Sequence, residues 1–297
     1  MNRRTYGAGT IKRSRRTKAQ VEQLDRQILE VLKDDNPQSV RHVFYRMTNP
    51  RLHEPVEKSD RGYRHVQRRC VALRRSGQLP YGWISDATRR GYFTPVYRNA
   101  SDFLRSVSGH YRADIWQQSD HYVEVWVESR SLAGVVQDDC AEMAVSLYPA
   151  GGFSSITLAF QAAGNTNFDA DGRQVNIFYI GDYDPAGVLI DVALERELRE
   201  HMHSHIDLNF ERIAISKEQI LAYDLPSKPR KSGDKRSLHI SETVEAEAMP
   251  AGILRKLLRD NVEKYLPARA LAVAKVAERS ERQHIARIAN LMETKAV

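Results

Sequence analysis

Two apolar runs in the second half of the chain have the composition of buried strands. Residues 123–127 alternate three valines with Glu124 and Trp126, and residues 177–180 read Ile, Phe, Tyr, Ile. β-Branched and aromatic residues are enriched in strands, and sequence of helical character follows each run. Strands that alternate with helices predict a parallel sheet, so the expected fold class is α/β.

Acidic residues stand at the end of both runs. Glu128 follows the first, and Asp182 and Asp184 follow the second. Ligands of an open parallel sheet collect beyond the carboxyl ends of its strands, so these side chains are expected to converge. Carboxylate oxygens suit Mg²⁺. The alternative is a solvated strand end at Glu128 and a turn with a helix cap at the Asp pair.

The first hundred residues have a helical pattern instead. Apolar positions at helical spacing predict helices near residues 21–33, 39–47 and 61–75. A short hairpin-like stretch follows at residues 77–84. Three helices and a hairpin predict a winged helix, in which the third helix is a basic recognition helix.

Basic residues are concentrated in the same region. Residues 1–100 hold 22 Lys and Arg against 9 Asp and Glu, while residues 101–297 hold 23 against 29. This division indicates that the front half grips a polyanion, whereas a uniformly solvated surface would not predict it. Residues 1–20 read as a flexible basic arm. The expected DNA-binding residues, mainly phosphate contacts, are Arg46, Arg64, Arg68, Arg69, Arg74 and Arg75.

Composition narrows the other possibilities. The two cysteines, Cys70 and Cys140, show no metal-ligand spacing, which favours a reducing cytoplasmic location. The chain has no apolar run of about 18 residues, so no membrane association is expected. It also lacks a Gly-Lys-Ser/Thr phosphate loop, which argues against ATP hydrolysis by this chain alone.

Two motifs together resemble a known family. The sequence from Asp182 through Asp184-Pro to Gly187, preceded by Glu128, is similar to the Toprim domain of the topoisomerase VI A subunit and of the meiotic double-strand-break transesterase. Residues 40–45, which end in Phe-Tyr, resemble the segment that bears that family's catalytic tyrosine. The resemblance implies a winged-helix domain at residues 21–115 and a Toprim-like domain with C-terminal helices at residues 116–297.

The same resemblance implies a reaction. Tyr45 would attack a phosphorus of double-stranded DNA, while Mg²⁺ is held by Glu128, Asp182 and Asp184. Arg41 and Arg46 would neutralise the phosphate, His42 is a weaker candidate proton acceptor, and Glu128 would return a proton to the leaving oxygen. A homodimer is implied, in which the tyrosine of one chain meets the metal site of the other, as is a separate B-type ATPase subunit for strand passage. A hydrolytic Toprim nuclease and a non-catalytic DNA-binding assembly module remain alternatives.

The last third of the chain carries fewer signals. Residues 210–215 predict another core strand and residues 228–236 a mobile basic loop. The family has acidic residues in a region comparable to Glu242, Glu245 and Glu247, so Glu245 or Glu247 would join the metal site, although a solvated strand is the preferred interpretation. Residues 253–292 predict two amphipathic helices.

Overall fold

The computed structural model describes residues 16–85, 94–151, 156–230, 237 and 240–294. Within these ranges, helices come first and last and alternate with strands in between. In chain order the helices and strands are α1 (Lys18–Asp34), α2 (Val40–Met47), α3 (Asp60–Arg75), α4 (Ala100–Ser108), β1 (His121–Val127), α5 (Arg130–Glu142), β2 (Ser146–Pro149), α6 (Ile156–Asp169), β3 (Gln174–Ile180), α7 (Gly187–His201), β4 (Leu208–Ala214), α8 (Lys217–Ala222), β5 (Lys228–Pro229), β6 (Glu242–Thr243), α9 (Ala251–Val262) and α10 (Ala270–Thr294). Short 3₁₀ helices occupy Tyr81–Trp83, Ala246–Ala248 and Glu263–Tyr265.

The three predicted front helices are confirmed as α1, α2 and α3. Each begins at a hydroxyl residue whose side chain accepts a hydrogen bond from a backbone N–H of the first turn: Thr17, Ser39 and Ser59 respectively. Their apolar stripes face one another in the core. The basic arm was expected over residues 1–20, and residues 1–15 of it lie outside the described residues. The predicted end of the arm at residue 20 is wrong, because α1 begins at Lys18.

Residues 77–84 do not form the expected hairpin. They make a turn and the 3₁₀ helix Tyr81–Trp83, after which Ile84 pairs with Gln38 in an isolated parallel bridge. This segment therefore closes back onto the loop before α2. Residues 86–93, which follow it, lie outside the described part of the chain.

The predicted parallel sheet is confirmed. Four parallel strands are ordered β2-β1-β3-β4, with Val127 beside Ile180 at the ends of β1 and β3. The chain steps from β1 to β2 in one direction and from β3 to β4 in the other. The order therefore reverses between β1 and β3, which is where ligands of such sheets collect.

Each face of the sheet carries helices. Val125, Val127 and Phe178 point into a core shared with α5, α9 and the front helices, whereas Trp126 and Tyr179 point toward α6 and α7. Alternation of side chains along a strand produces this division. The strand expected at residues 210–215 is confirmed as β4, which begins two residues earlier and ends one residue earlier than predicted.

The front helices and the sheet share one hydrophobic core. Leu24, Val43 and Val66 belong to the same buried cluster as Val125 and Leu254, so the cluster crosses the domain boundary predicted at residue 115. Polar contacts cross it as well: Asp35, after α1, accepts hydrogen bonds from Arg255 and from the backbone N–H of Gly252. The front helices are thereby held in a fixed orientation against the sheet.

Residues 251–294 form two helices, as predicted. α9 covers the sheet beside α5, and α10 packs along α4, where Ser101 Oγ donates a 2.8 Å hydrogen bond to the Ala289 carbonyl and Arg105 a 3.0 Å bond to Asn290. None of the helices in the described ranges is long and apolar enough to cross a bilayer. In the stretch expected to be a mobile basic loop, β5 pairs with β6, and residues 231–236 lie outside the described residues.

A carboxyl group is buried within the sheet. Glu124, on β1, is fully buried; one of its oxygens lies 2.6 Å from Thr166 Oγ1 and the other accepts a 2.9 Å hydrogen bond from Trp126 Nε1. Thr166 Oγ1 also lies 2.9 Å from the Ala162 carbonyl, to which it can donate its single proton. A protonated Glu124 satisfies all three contacts, and burial raises the pKa of Glu124 above its ordinary value.

Glu124→Gln should therefore stabilise the protein at neutral pH. Because the folded-state pKa is raised, Glu124 contributes most stability at low pH, and that contribution falls as pH rises through the folded-state pKa. An amide needs no proton to donate to Thr166. We expect the free energy of unfolding at pH 7, measured in urea, to rise by on the order of 1 kcal/mol.

The matched control is Glu211→Gln, which makes the same change at an exposed position of β4. Its stability should stay within about 0.5 kcal/mol of the parent at every pH. If Glu124→Gln is no more stable than the parent at pH 7, the hydrogen-bond partners of Glu124 stabilise its ionised form well enough, and the prediction is wrong.

Candidate active site

Glu128 and Asp182 lie together at the carboxyl edge of the sheet. Glu128 directly follows β1, and its Oε2 accepts a 2.8 Å hydrogen bond from the backbone N–H of Asp182, two residues after β3. Gly181 makes this approach possible, since a Cβ there would lie 2.8 Å from Glu128 Oε2. The sequence-predicted convergence of these two residues is present in the structure.

Asp184, at the same edge of the sheet, caps the start of α7. Its Oδ1 accepts hydrogen bonds from the backbone N–H groups of Ala186 and Gly187, at 2.8 and 2.6 Å, and so holds the start of α7. Helix capping was the alternative interpretation of the Asp pair. The carboxylate still lies near enough to Glu128 to act on its charge.

Glu247 joins the site from a distant part of the sequence. Backbone hydrogen bonds in both directions between Tyr183 and Val244 dock residues 244–247 beside the loop of residues 181–186, which we call the acidic loop. Asp182 Oδ1 accepts a 2.8 Å bond from the N–H of Ala246. Glu247 is buried in the 3₁₀ helix and accepts a 2.5 Å hydrogen bond from Ser131. The solvated strand expected here is wrong for Glu247.

Arg212, on β4, holds the acidic loop in place. Its guanidinium donates to the carbonyls of Gly181, Asp182 and Gly187 at 2.8–3.2 Å, and its Nε lies 2.6 Å from Asp191. The group also stacks 5.1 Å from the centre of the Tyr179 ring. Sequence reasoning missed this residue, because a single arginine in a strand carries no motif.

The carboxylates repel one another. Burial and the neighbouring charges of Glu128 and Glu247 raise the pKa of Asp182 well above its ordinary value. Burial also raises the pKa of Glu128, and the charge of Asp184 adds to the effect. A site of this kind is stabilised by a proton or by a cation.

A cavity of about 440 Å³ separates this acidic edge from the front helices. Its acidic side is formed by Glu128, Asp182 and Glu247, and its opposite side includes Arg41, Tyr63 and Arg74. The shared core fixes the two walls relative to each other. The cavity is therefore acidic on one side and basic on the other.

Tyr45 lies one helical turn after Arg41 on α2. The described lining of the cavity does not include it, and its side chain is only 5% exposed. The carboxylate of Glu245 lies beside its hydroxyl, and burial followed by the charge of that carboxylate raises the pKa of Tyr45 well above its ordinary value. In this conformation the phenol is protonated.

Arg41 and His42, the neighbours on α2, are placed differently. Arg41 lines the cavity and pairs with Glu245 at 2.7 Å. His42 is buried, with Nδ1 2.9 Å from Ser39 Oγ, and burial followed by the charge of Arg255 lowers its pKa to about 3. His42 is thus a core histidine, remote from the role of proton acceptor that the sequence suggested.

The predicted DNA-binding arginines divide into two groups. Arg46 and three residues on one face of α3, Arg64, Arg68 and Arg75, are exposed. Arg69 instead binds both oxygens of Asp25, at 2.7 and 2.6 Å, and Arg74 donates to the carbonyls of Tyr81 and Ile84. Helical periodicity explains the division, because residue 69 lies about 100° from residue 68 and turns toward α1.

The predicted metal ligands are close but not arranged as a finished site. Among the described residues, no group of three or more His, Cys, Asp and Glu side chains has the arrangement needed to hold a metal ion. Glu128, Asp182 and Asp184 each use one oxygen to hold backbone N–H groups. The donors are hard oxygens, the type that Mg²⁺ requires.

Comparison of the chain with protein-family models, with curated proteins and with solved structures found no match. The resemblance to the topoisomerase VI A family therefore depends on the motifs alone.

The arrangement of Arg69 leads to a stability prediction. Arg69→Gln should lower the free energy of unfolding by about 1–3 kcal/mol, because it leaves the half-buried carboxylate of Asp25 without its two-bond partner. Arg68→Gln, at the preceding and exposed position, should change the free energy of unfolding by less than about 0.5 kcal/mol. Urea unfolding of both variants tests this, and equal losses would place Arg69 on the surface as first predicted.

Proposed function

We propose that the protein cleaves the backbone of double-stranded DNA in a reaction that depends on Mg²⁺. The observation that carries the proposal is the cavity in which Glu128, Asp182 and Glu247 face Arg41. Carboxylates that gather a divalent cation and an arginine that binds phosphate are the parts that phosphodiester cleavage requires.

The acidic edge is the proposed magnesium site. Glu128 and Asp182 would hold the ion, with Asp184 and Glu247 nearby, and the raised pKa values of Glu128 and Asp182 support a cation there. When bound, Mg²⁺ offsets charge on the scissile phosphate. The residues of the chain position it, and Arg212 keeps their loop in place.

DNA is the proposed substrate because of the charge on the front half. Arg46, Arg64, Arg68 and Arg75 leave an exposed basic surface on the helices that form the other side of the cavity. Such a surface binds the phosphates of a duplex without reading its bases. The polyanion is thereby brought toward the acidic edge.

Tyr45 is the proposed nucleophile, in agreement with the family resemblance. Its Oη forms a bond to phosphorus while the bond from phosphorus to a deoxyribose oxygen breaks, so the phosphodiester is kept as a phosphotyrosyl link. The phenol loses one proton to water, and the leaving oxygen gains one from water, with the Glu128 carboxylate as the proposed relay. Attack requires Glu245 to release the Tyr45 hydroxyl.

With this function the chain would resemble the topoisomerase VI A subunits and the meiotic transesterase, with three front helices that lack the predicted hairpin at residues 77–84 in place of a complete winged helix, joined to a Toprim-like domain. A homodimer would then cut both strands, and strand passage would need a separate B-type ATPase subunit. The cytoplasm or nucleoid is the corresponding location.

One observation favours a second function. Tyr45 is buried and its pKa is raised, which suits a packing residue better than a nucleophile. A metal-dependent nuclease would instead use water at the same acidic edge and leave no protein on the DNA. A binding module would not cut at all.

The decisive measurement is covalent linkage. The protein is incubated with supercoiled DNA and Mg²⁺ and then denatured, and protein-linked ends are sought. We expect the parent to give linked breaks and Tyr45→Phe to give none. DNA breaks without linked protein would establish hydrolysis by a nuclease. Linkage that persists in Tyr45→Phe would exclude Tyr45 as the nucleophile. DNA that stays intact would favour a binding module without cleavage activity.

Asp182→Asn should reduce cleavage by at least about a hundredfold, since it removes a carboxylate from the proposed ion site. The variant should remain folded, because an amide oxygen can still accept the hydrogen bond from Ala246. Asp171→Asn makes the same change in an exposed turn and should cleave like the parent. Equal activity of both variants would exclude the acidic edge.

A further inference from the structure

Three cationic side chains from different segments surround Tyr45. The ammonium groups of Lys58, before α3, and Lys228, on β5, lie 5.6 and 5.9 Å from the centre of the Tyr45 ring. Arg41 lies one turn earlier on α2. Sequence analysis placed Lys228 in a basic loop but did not single out Lys58, and the two lysines are 170 positions apart with no motif that links them. The fold has therefore collected positive charge around a tyrosine.

One carboxylate lies among these cations. Glu245 accepts a 2.7 Å hydrogen bond from Arg41 Nη1 and a 3.0 Å bond from Lys228 Nζ, and its carboxylate lies beside the Tyr45 hydroxyl. Several donors around a single anion are the arrangement that proteins use to bind phosphate. Lys58 is directed to the Ser227 carbonyl, at 2.7 Å.

The backbone on both sides of Glu245 is fixed while its side chain is not enclosed. Val244 is paired with Tyr183, and Ala246 is bonded to Asp182. The side chains of Glu245, Arg41 and Lys228 are 26%, 46% and 45% exposed, so the cluster opens to solvent. A change of side-chain rotamer is enough to remove the carboxylate from the cations.

Charge favours such an exchange. Arg41, Lys58 and Lys228 carry three positive charges at pH 7, against one negative charge on Glu245. Burial, followed by the charge of Lys228, lowers the pKa of Lys58 to about 8, which leaves this group mainly protonated at neutral pH. Glu247, two residues along, is hydrogen-bonded to Ser131 but its charge also acts on Arg41, so two negative charges stand against the three positive ones. The cluster therefore retains positive charge with which to attract another anion.

We propose that Arg41, Lys58, Lys228 and the Tyr45 hydroxyl form a binding subsite for one phosphodiester of the DNA backbone, and that Glu245 occupies this subsite in the free protein. DNA displaces the carboxylate and takes its hydrogen bonds. The choice of DNA as the ligand rests on the proposed function. Displacement would also release the phenol at the moment when a phosphate arrives beside it.

Binding of a fluorescent 20-base-pair duplex at pH 7, in EDTA and without divalent cations, tests the inference. Glu245→Gln should bind about tenfold tighter than the parent, and the slope of log affinity against log salt should steepen by about one, because cations freed from the carboxylate meet phosphate. Glu242→Gln makes the same charge change at an exposed position of β6 and should bind like the parent.

A second variant keeps the inference testable should Glu245→Gln fold poorly. Lys58→Gln should weaken DNA binding about threefold to tenfold without loss of thermal stability, whereas Lys33→Gln, at an exposed position of α1, should have less effect. Glu245→Gln that binds no tighter than Glu242→Gln would overturn the inference, as would Lys58→Gln that binds like Lys33→Gln.

The outcome is separable from that of the proposed function, because the assay contains no Mg²⁺ and measures no cleavage. A protein that cuts DNA but shows no gain in Glu245→Gln loses only this subsite. A protein that shows the gain but never cuts DNA keeps the subsite and loses the cleavage.

Discussion

Repulsion between carboxylates is the constraint around which the rest of the site is arranged. Glu128, Asp182 and Glu247 converge where the strand order of the sheet reverses, and burial there disfavours their charged forms. The fold offsets part of this cost with backbone donors, since Asp182 and Ala246 each give an N–H to a carboxylate. The negative charge that these donors leave uncompensated faces the cavity.

The arginines of the front helices compensate this negative charge only in part. Arg41 reaches the cavity but pairs with Glu245, and Arg74 is held by two backbone carbonyls. Arg212 lies on the other side of the acidic loop, where it binds carbonyl oxygens and Asp191. Each cation near the site therefore positions part of the structure, and the charge of the carboxylates themselves is left for a proton or an added cation to balance.

The sequence allowed the strands, their acidic ends and the three front helices to be predicted, because each depends on local periodicity. It did not allow the partner of each polar group to be predicted. Arg68 and Arg69 look alike in the sequence, and only the packing of α1 against α3 puts Asp25 beside the second. Glu247 joins the site through a bridge between Tyr183 and Val244, which are 61 positions apart and carry no pairing signal. The expected hairpin at residues 77–84 failed because the turn closes onto Gln38 instead.

The burial of Tyr45 has two opposite consequences. It disfavours the phenolate, and the adjacent carboxylate disfavours it further, so the free protein holds a poor nucleophile. The same burial keeps bulk water away from the hydroxyl, which would protect a phosphotyrosyl bond from hydrolysis and leave it open to resealing. Replacement of Glu245 by a phosphate would shift Arg41 and Lys228 from a competing carboxylate to the electrophile. A buried tyrosine is therefore compatible with reversible cleavage, provided that the arriving substrate itself removes the restraint.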